Sequence, residues 1–118
     1  MTDEIRLTMP AQEDFRPVAH LVVGGLGARR ELTFEDLEDL QVAFDALLAC
    51  RDDDEDVTVM LCVENGEVRA KVGPFDGDAL ARLDASPTGL APRRILETVC
   101  DQVTVEDAYV RLTKQVTG

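Results

Sequence analysis

The chain has 118 residues, 45% of them apolar and 31% charged, and its 24 acids against 12 bases give a formal net charge of −12. That length fits a single domain, 1–118, able to bury about two-thirds of its unfolded surface, so folding requires neither disulfide nor metal. Such a charge argues against a surface built to neutralise phosphates, and direct nucleic-acid binding is not expected. The longest apolar stretches, such as 18–26 with its Gly24-Gly25, are too short to span a bilayer, so no membrane association is expected. No basic segment leading into an apolar run opens the chain, and Cys50, Cys62 and Cys100 are an odd set without CxxC spacing. Both features fit a cytoplasmic protein.

Residues 4–9 alternate Ile5, Leu7 and Met9 with Arg6 and Thr8, a half-buried strand ended by Pro10. From Gln12 to about Arg30, Phe15, Val18, Ala19, Val22, Val23 and Leu26 fall at helical spacing. Gly24, Gly25 and Gly27 weaken its last turns and let another backbone come close. Thr33 reads as the N-cap of a second helix, with Glu35 and Asp36 in the first turn where the helix dipole favours acids. Leu37, Leu40, Ala43, Phe44, Leu47 and Leu48 form its apolar stripe, and it should stop near Cys50. Residues 57–63 and 67–72 are β-rich runs joined at Asn65-Gly66, a dipeptide that supplies the positive φ of a tight hairpin turn. Gly73-Pro74 closes the second run. A short helix over 76–83, a loop at 86–88, a helix over 93–101 with Ile95, Leu96, Val99 and Cys100 inward, and a hairpin of 103–105 with 109–112 complete the pattern. The order β, α, α, β, β, α, α, β, β predicts an α+β fold. It is a two-layer sandwich whose mixed, mostly antiparallel sheet carries its helices on one face.

The charge is concentrated. Residues 31–56 hold eleven of the acids (Glu31, Glu35, Asp36, Glu38, Asp39, Asp45, Asp52, Asp53, Asp54, Glu55 and Asp56) against Arg51 alone. This region either keeps the protein soluble or attracts a basic protein partner, with Glu35, Asp36, Glu38 and Asp39 as the candidate contacts. The run from Asp52 to Asp56 lacks the alternating ligands, turn glycine and closing Glu of a calcium loop, so no metal is expected there.

The helix entered by Thr33-Phe34-Glu35-Asp36-Leu37, the hairpin, Gly73-Pro74-Phe75-Asp76, and Gly89-Leu90 opening a helix resemble the bacterial anti-sigma factors that double as serine kinases. These belong to the GHKL (histidine-kinase-like) ATPase superfamily, and the resemblance covers roughly residues 5–116. It implies a Bergerat-like fold with three nucleotide boxes. The first is a helical Glu that activates the nucleophile and an Asn one turn later that holds magnesium. Aligning the apolar stripe puts Ala46 and Cys50 at those positions; a shift of one residue gives Asp45 and Ala49, and neither pair works. The second is an Asp before a glycine turn, which accepts the adenine amino group. Lys71 falls there instead and can only donate, while Asp76 lies after the turn and suits a helix cap. The third is a glycine-rich phosphate loop, of which Gly89-Leu90-Ala91-Pro92 keeps one glycine; Arg93 and Arg94 are either anion contacts or surface residues beside a Pro92 at N1. Lys71, Gly73, Phe75, Asp76, Gly89, Leu90 and Arg93 are thus the expected remnant of the pocket.

The resemblance and these losses imply a non-catalytic regulatory protein, without catalytic residues, metal or cofactor, that binds a protein such as a sigma factor or its antagonist. Pairing of two copies is a further implication of the family. The alternatives are an active serine kinase that still holds ATP and magnesium, and a structural or oligomerising domain whose pocket is filled by side chains. His20 reads as structural, Cys62 and Cys100 as core thiols, and Tyr109 as a packing residue of the last hairpin.

Overall fold

In a computed structural model, which describes residues 3–30, 32–51, 55–85 and 91–116, the elements follow that order. They are β1 (Asp3–Pro10), α1 (Arg16–Arg30), α2 (Phe34–Leu48), β2 (Asp56–Glu64), β3 (Glu67–Gly73), α3 (Gly77–Leu83), α4 (Pro92–Val99), β4 (Gln102–Glu106) and β5 (Tyr109–Gln115). A short 3-10 turn, Glu13–Phe15, precedes α1, so the helix begins later than its apolar spacing suggests.

The five strands lie in the order β1-β2-β3-β5-β4, and among the described residues every pairing is antiparallel. The sheet expected to be mixed is therefore antiparallel throughout its described part. Strand alternation separates its faces. Val57, Val59, Leu61 and Val63 of β2, Val68, Ala70 and Val72 of β3, and Val110 and Leu112 of β5 are buried in one core with the helices. Their neighbours in sequence, such as Met60, Arg69, Lys71 and Arg111, point to the helix-free face.

Local chemistry explains the element ends. Thr33 Oγ1 accepts from the Asp36 amide at 3.1 Å, and Asp76 Oδ1 accepts from the Ala79 amide at 2.8 Å. These cap α2 and α3 by satisfying amides that have no partner within the helix. Pro92 begins α4, where its missing N–H costs nothing. Asn65 and Gly66, at φ 54° and 73°, form the tight turn of the β2–β3 hairpin. Asp107 and Ala108, at φ 52° and 68°, turn β4 into β5 without a glycine.

Along α2, Leu40, Ala43, Phe44, Leu47 and Leu48 are buried, the stripe its spacing predicts. Of the glycines in α1, only Gly27 serves a close approach, since a Cβ there would overlap the Leu37 side chain of α2. Gly73 is the second such position: a Cβ would stand 2.7 Å from Tyr109 Cδ2, 2.9 Å from its Cγ and 3.0 Å from the Ala108 carbonyl oxygen. The ring base and the backbone have little room to move, so Gly73→Ala should cost about 1–3 kcal/mol as an overpacked site. Urea denaturation checks this; a midpoint unchanged from the parent would contradict the packing.

Candidate functional site

The region where the resemblance locates a nucleotide lies between the end of α2, the turn 73–76 and α3. Ala46 is partly buried and Cys50 fully so, with Cys50 Sγ donating to the Ala46 carbonyl at 3.4 Å. Burial raises the Cys50 thiol above its ordinary pKa and so keeps it a neutral donor, outweighing the nearby Arg82 charge, which acts the other way. Asp45, the acid reached by the shifted alignment, has Oδ1 2.9 Å from His20 Nε2 and joins α2 to α1.

Two guanidinium groups cross this region. Arg51, only 8% exposed, donates from Nη1 to the Pro74 carbonyl at 2.9 Å. From Nη2 it reaches the carbonyls of Glu55 at 3.3 Å and Asp56 at 3.5 Å. Arg82 of α3 donates from Nη1 to the Cys50 carbonyl at 2.9 Å. The end of α2, the start of β2, the 73–76 turn and α3 are thereby held by charge-assisted hydrogen bonds. Neither arginine stood out in the sequence as a site residue. The available signal was Arg51 itself, a lone base after a helix and inside an acidic run.

Among the described residues, the expected pocket residues are divided between the helix-free face, the core and the ends of α3 and α4. Lys71 pairs in register with Met60 and Arg111 on the helix-free face, its Nζ 4.9 Å from the centre of the Tyr109 ring. Gly73 lies under Tyr109, the side chain of Phe75 is buried in the core, and Asp76 is the α3 cap. The Phe75 amide donates to the Ala108 carbonyl at 2.7 Å, which fixes the turn against the β4–β5 connection. Arg93 Nε bonds Asp84 Oδ1 at 2.6 Å and links α4 to the end of α3. Gly89 and Leu90 lie outside the described residues, as do Glu31, Asp52, Asp53 and Asp54.

The acidic quartet of α2 also divides. Glu35 and Glu38 are exposed, whereas Asp36 is 8% exposed and sits in the capped first turn. Asp39 Oδ2 accepts from Lys114 Nζ at 3.0 Å, and the same ammonium donates to the Val99 carbonyl at 3.0 Å. Asp36 and Asp39 thus serve the packing of α2. Of the remaining candidates, Cys100 is buried and its thiol is pushed up to about 11 by desolvation. Cys62 is half-buried on the helix-free face rather than in the core.

No family model and no curated protein matches the chain. A crystal structure of the RsbU and RsbW domains of Rv1364c from Mycobacterium tuberculosis superposes with a TM-score of 0.72 at 14% sequence identity, covering 97% of this chain. The fold is shared. The chain spans 32% of the length of that one, about a third, so the likeness concerns part of a larger protein. No described helix is long and apolar enough to cross a membrane.

Arg51→Ala removes the donors to the Pro74, Glu55 and Asp56 carbonyls. A loss of about 1–3 kcal/mol is expected, partly restored in Arg51→Lys. Equilibrium unfolding of the two variants measures it, and equal stability of parent and Arg51→Ala would show that the guanidinium holds nothing together.

Proposed function

We propose that the chain is a non-catalytic regulatory protein of GHKL type, related in function to anti-sigma factors and acting by binding a protein partner. The carrying observation is the set of bonds at the end of α2. Where the resemblance calls for a proton acceptor and a magnesium-binding amide, the chain has the methyl of Ala46 and a neutral thiol turned back on Ala46 O. Arg51 and Arg82 hold the surrounding carbonyls of Pro74 and Cys50. A cation coordinated by a triphosphate needs hard oxygen ligands, and a thiol with a raised pKa is a poor one. The position expected to read adenine carries Lys71, a donor whose strand parity turns it to the opposite face of the sheet.

The shared fold with the RsbU and RsbW domains supports the regulatory part of this reading. Partner choice then rests on surface chemistry rather than on phosphotransfer. The candidate surface is the exposed acidic side of α2, reduced to Glu35 and Glu38 because Asp36 and Asp39 are engaged within the fold. Sigma factors and their antagonists are the partner class this reading names.

Isothermal titration with Mg-ATP should give no heat attributable to binding at micromolar concentrations. Micromolar, magnesium-dependent binding would instead support an active kinase and overturn the proposal.

A further inference from the structure

Helix α1 has an unusual outer face for a chain with 31% charged residues. Between Arg16 and Arg29 it contains no Asp, Glu, Lys or Arg, and His20 is its one ionisable group there. The residues turned from the core include Val18, Leu21, Gly25 and Ala28, with Leu21 76% exposed. A solvated helix ordinarily presents charge on that side, and an exposed apolar face of this kind marks an interaction surface.

The neighbouring helix continues the surface and changes its character. The His20–Asp45 bond and the approach of Gly27 to Leu37 set α1 and α2 antiparallel, so Leu21 stands level with the Val42–Asp45 turn. Phe34 is 74% exposed and Val42 45% exposed on the outer side of α2. Beside them stand Glu35 and Glu38, and no base occurs anywhere in α2. A Cβ placed on Gly24 or Gly25 would meet nothing within 4 Å, so no part of the described chain covers α1 on the side these two glycines face.

We propose that this α1–α2 face docks a basic amphipathic helix of a partner protein. Leu21, Phe34 and Val42 receive its apolar stripe, and Glu35 and Glu38 receive its lysines or arginines. The mode is a helix laid along two antiparallel helices, with the small residues of α1 allowing close approach. Charge decides the occupant. A second copy related by a two-fold axis would bring Glu35 and Glu38 of both copies onto one acidic surface, whereas a basic helix complements it. The inference rests on the reading of the chain as a protein-binding regulator and specifies the partner's chemistry.

The probe is a short Leu/Lys peptide with helical periodicity, compared with a scrambled peptide of the same composition, each titrated into the full chain. The periodic peptide should bind, gain helical circular dichroism on binding, and outcompete the scrambled one about tenfold or more. Leu21→Ser with Phe34→Ser should weaken it about tenfold, as should Glu35→Lys with Glu38→Lys. Both pairs are exposed, and the unfolding midpoint of each variant verifies that the fold is intact. Equal binding of both peptides, or indifference to either pair of substitutions, overturns the proposal. So does sedimentation showing a dimer that Leu21→Ser with Phe34→Ser dissociates, because a second copy then occupies the face. Failure of the pseudoenzyme reading would appear separately, as Mg-ATP binding that these substitutions leave unaltered.

Discussion

The Arg51 guanidinium ties the end of α2 to the start of β2 and to the turn after β3. A buried cation is costly unless its donors are satisfied, and Arg51 meets the Pro74, Glu55 and Asp56 carbonyls within 3.5 Å. Those contacts define how the end of α2, the first residue of β2 and the turn after β3 sit against one another. Arg82 repeats the device from α3 on the Cys50 carbonyl. In the proposed reading, side chains in this position replace the grip on a nucleotide with a grip on the protein's own backbone.

The periodic elements were legible in the sequence because their signals are local. The stripe of α2, the Thr33 and Asp76 caps, Pro92 at N1 and the Asn65-Gly66 turn each depend on residues within a few positions. The insertion of β5 between β3 and β4 depends on contacts distant in sequence, which no window shows. The 3-10 turn ahead of α1 arises where apolar spacing continues but α-helical bonding has not begun. The shared fold was legible through element order rather than through any single motif, consistent with 14% identity to the RsbU and RsbW domains.

The site was less legible, for reasons visible residue by residue. Motif alignment assigned Lys71 to a pocket, while the parity of β3 places Val68, Ala70 and Val72 inward and Lys71 outward. Asp36 lies on the same helical face as Leu40 and Ala43, so spacing already disfavoured it as a surface contact. Asp39 looked equally free in the sequence because its partner, Lys114, is on the last strand. Arg51 was hard to see as a structural residue because the carbonyls of Pro74, Glu55 and Asp56 that it meets leave no signature in residue type. Charge counting marks α2 as acidic, but only three-dimensional packing separates the exposed Glu35 and Glu38 from the buried Asp36 and the ion-paired Asp39.

The central claim concerns the bonds between α2, the 73–76 turn and α3, and a crystal structure grown with magnesium and a non-hydrolysable ATP analogue addresses it most directly. The account predicts Arg51 still on the Pro74 carbonyl, Arg82 still on the Cys50 carbonyl, and no triphosphate between these segments. A nucleotide seated there with its cation coordinated, and either arginine displaced to admit it, would contradict the account.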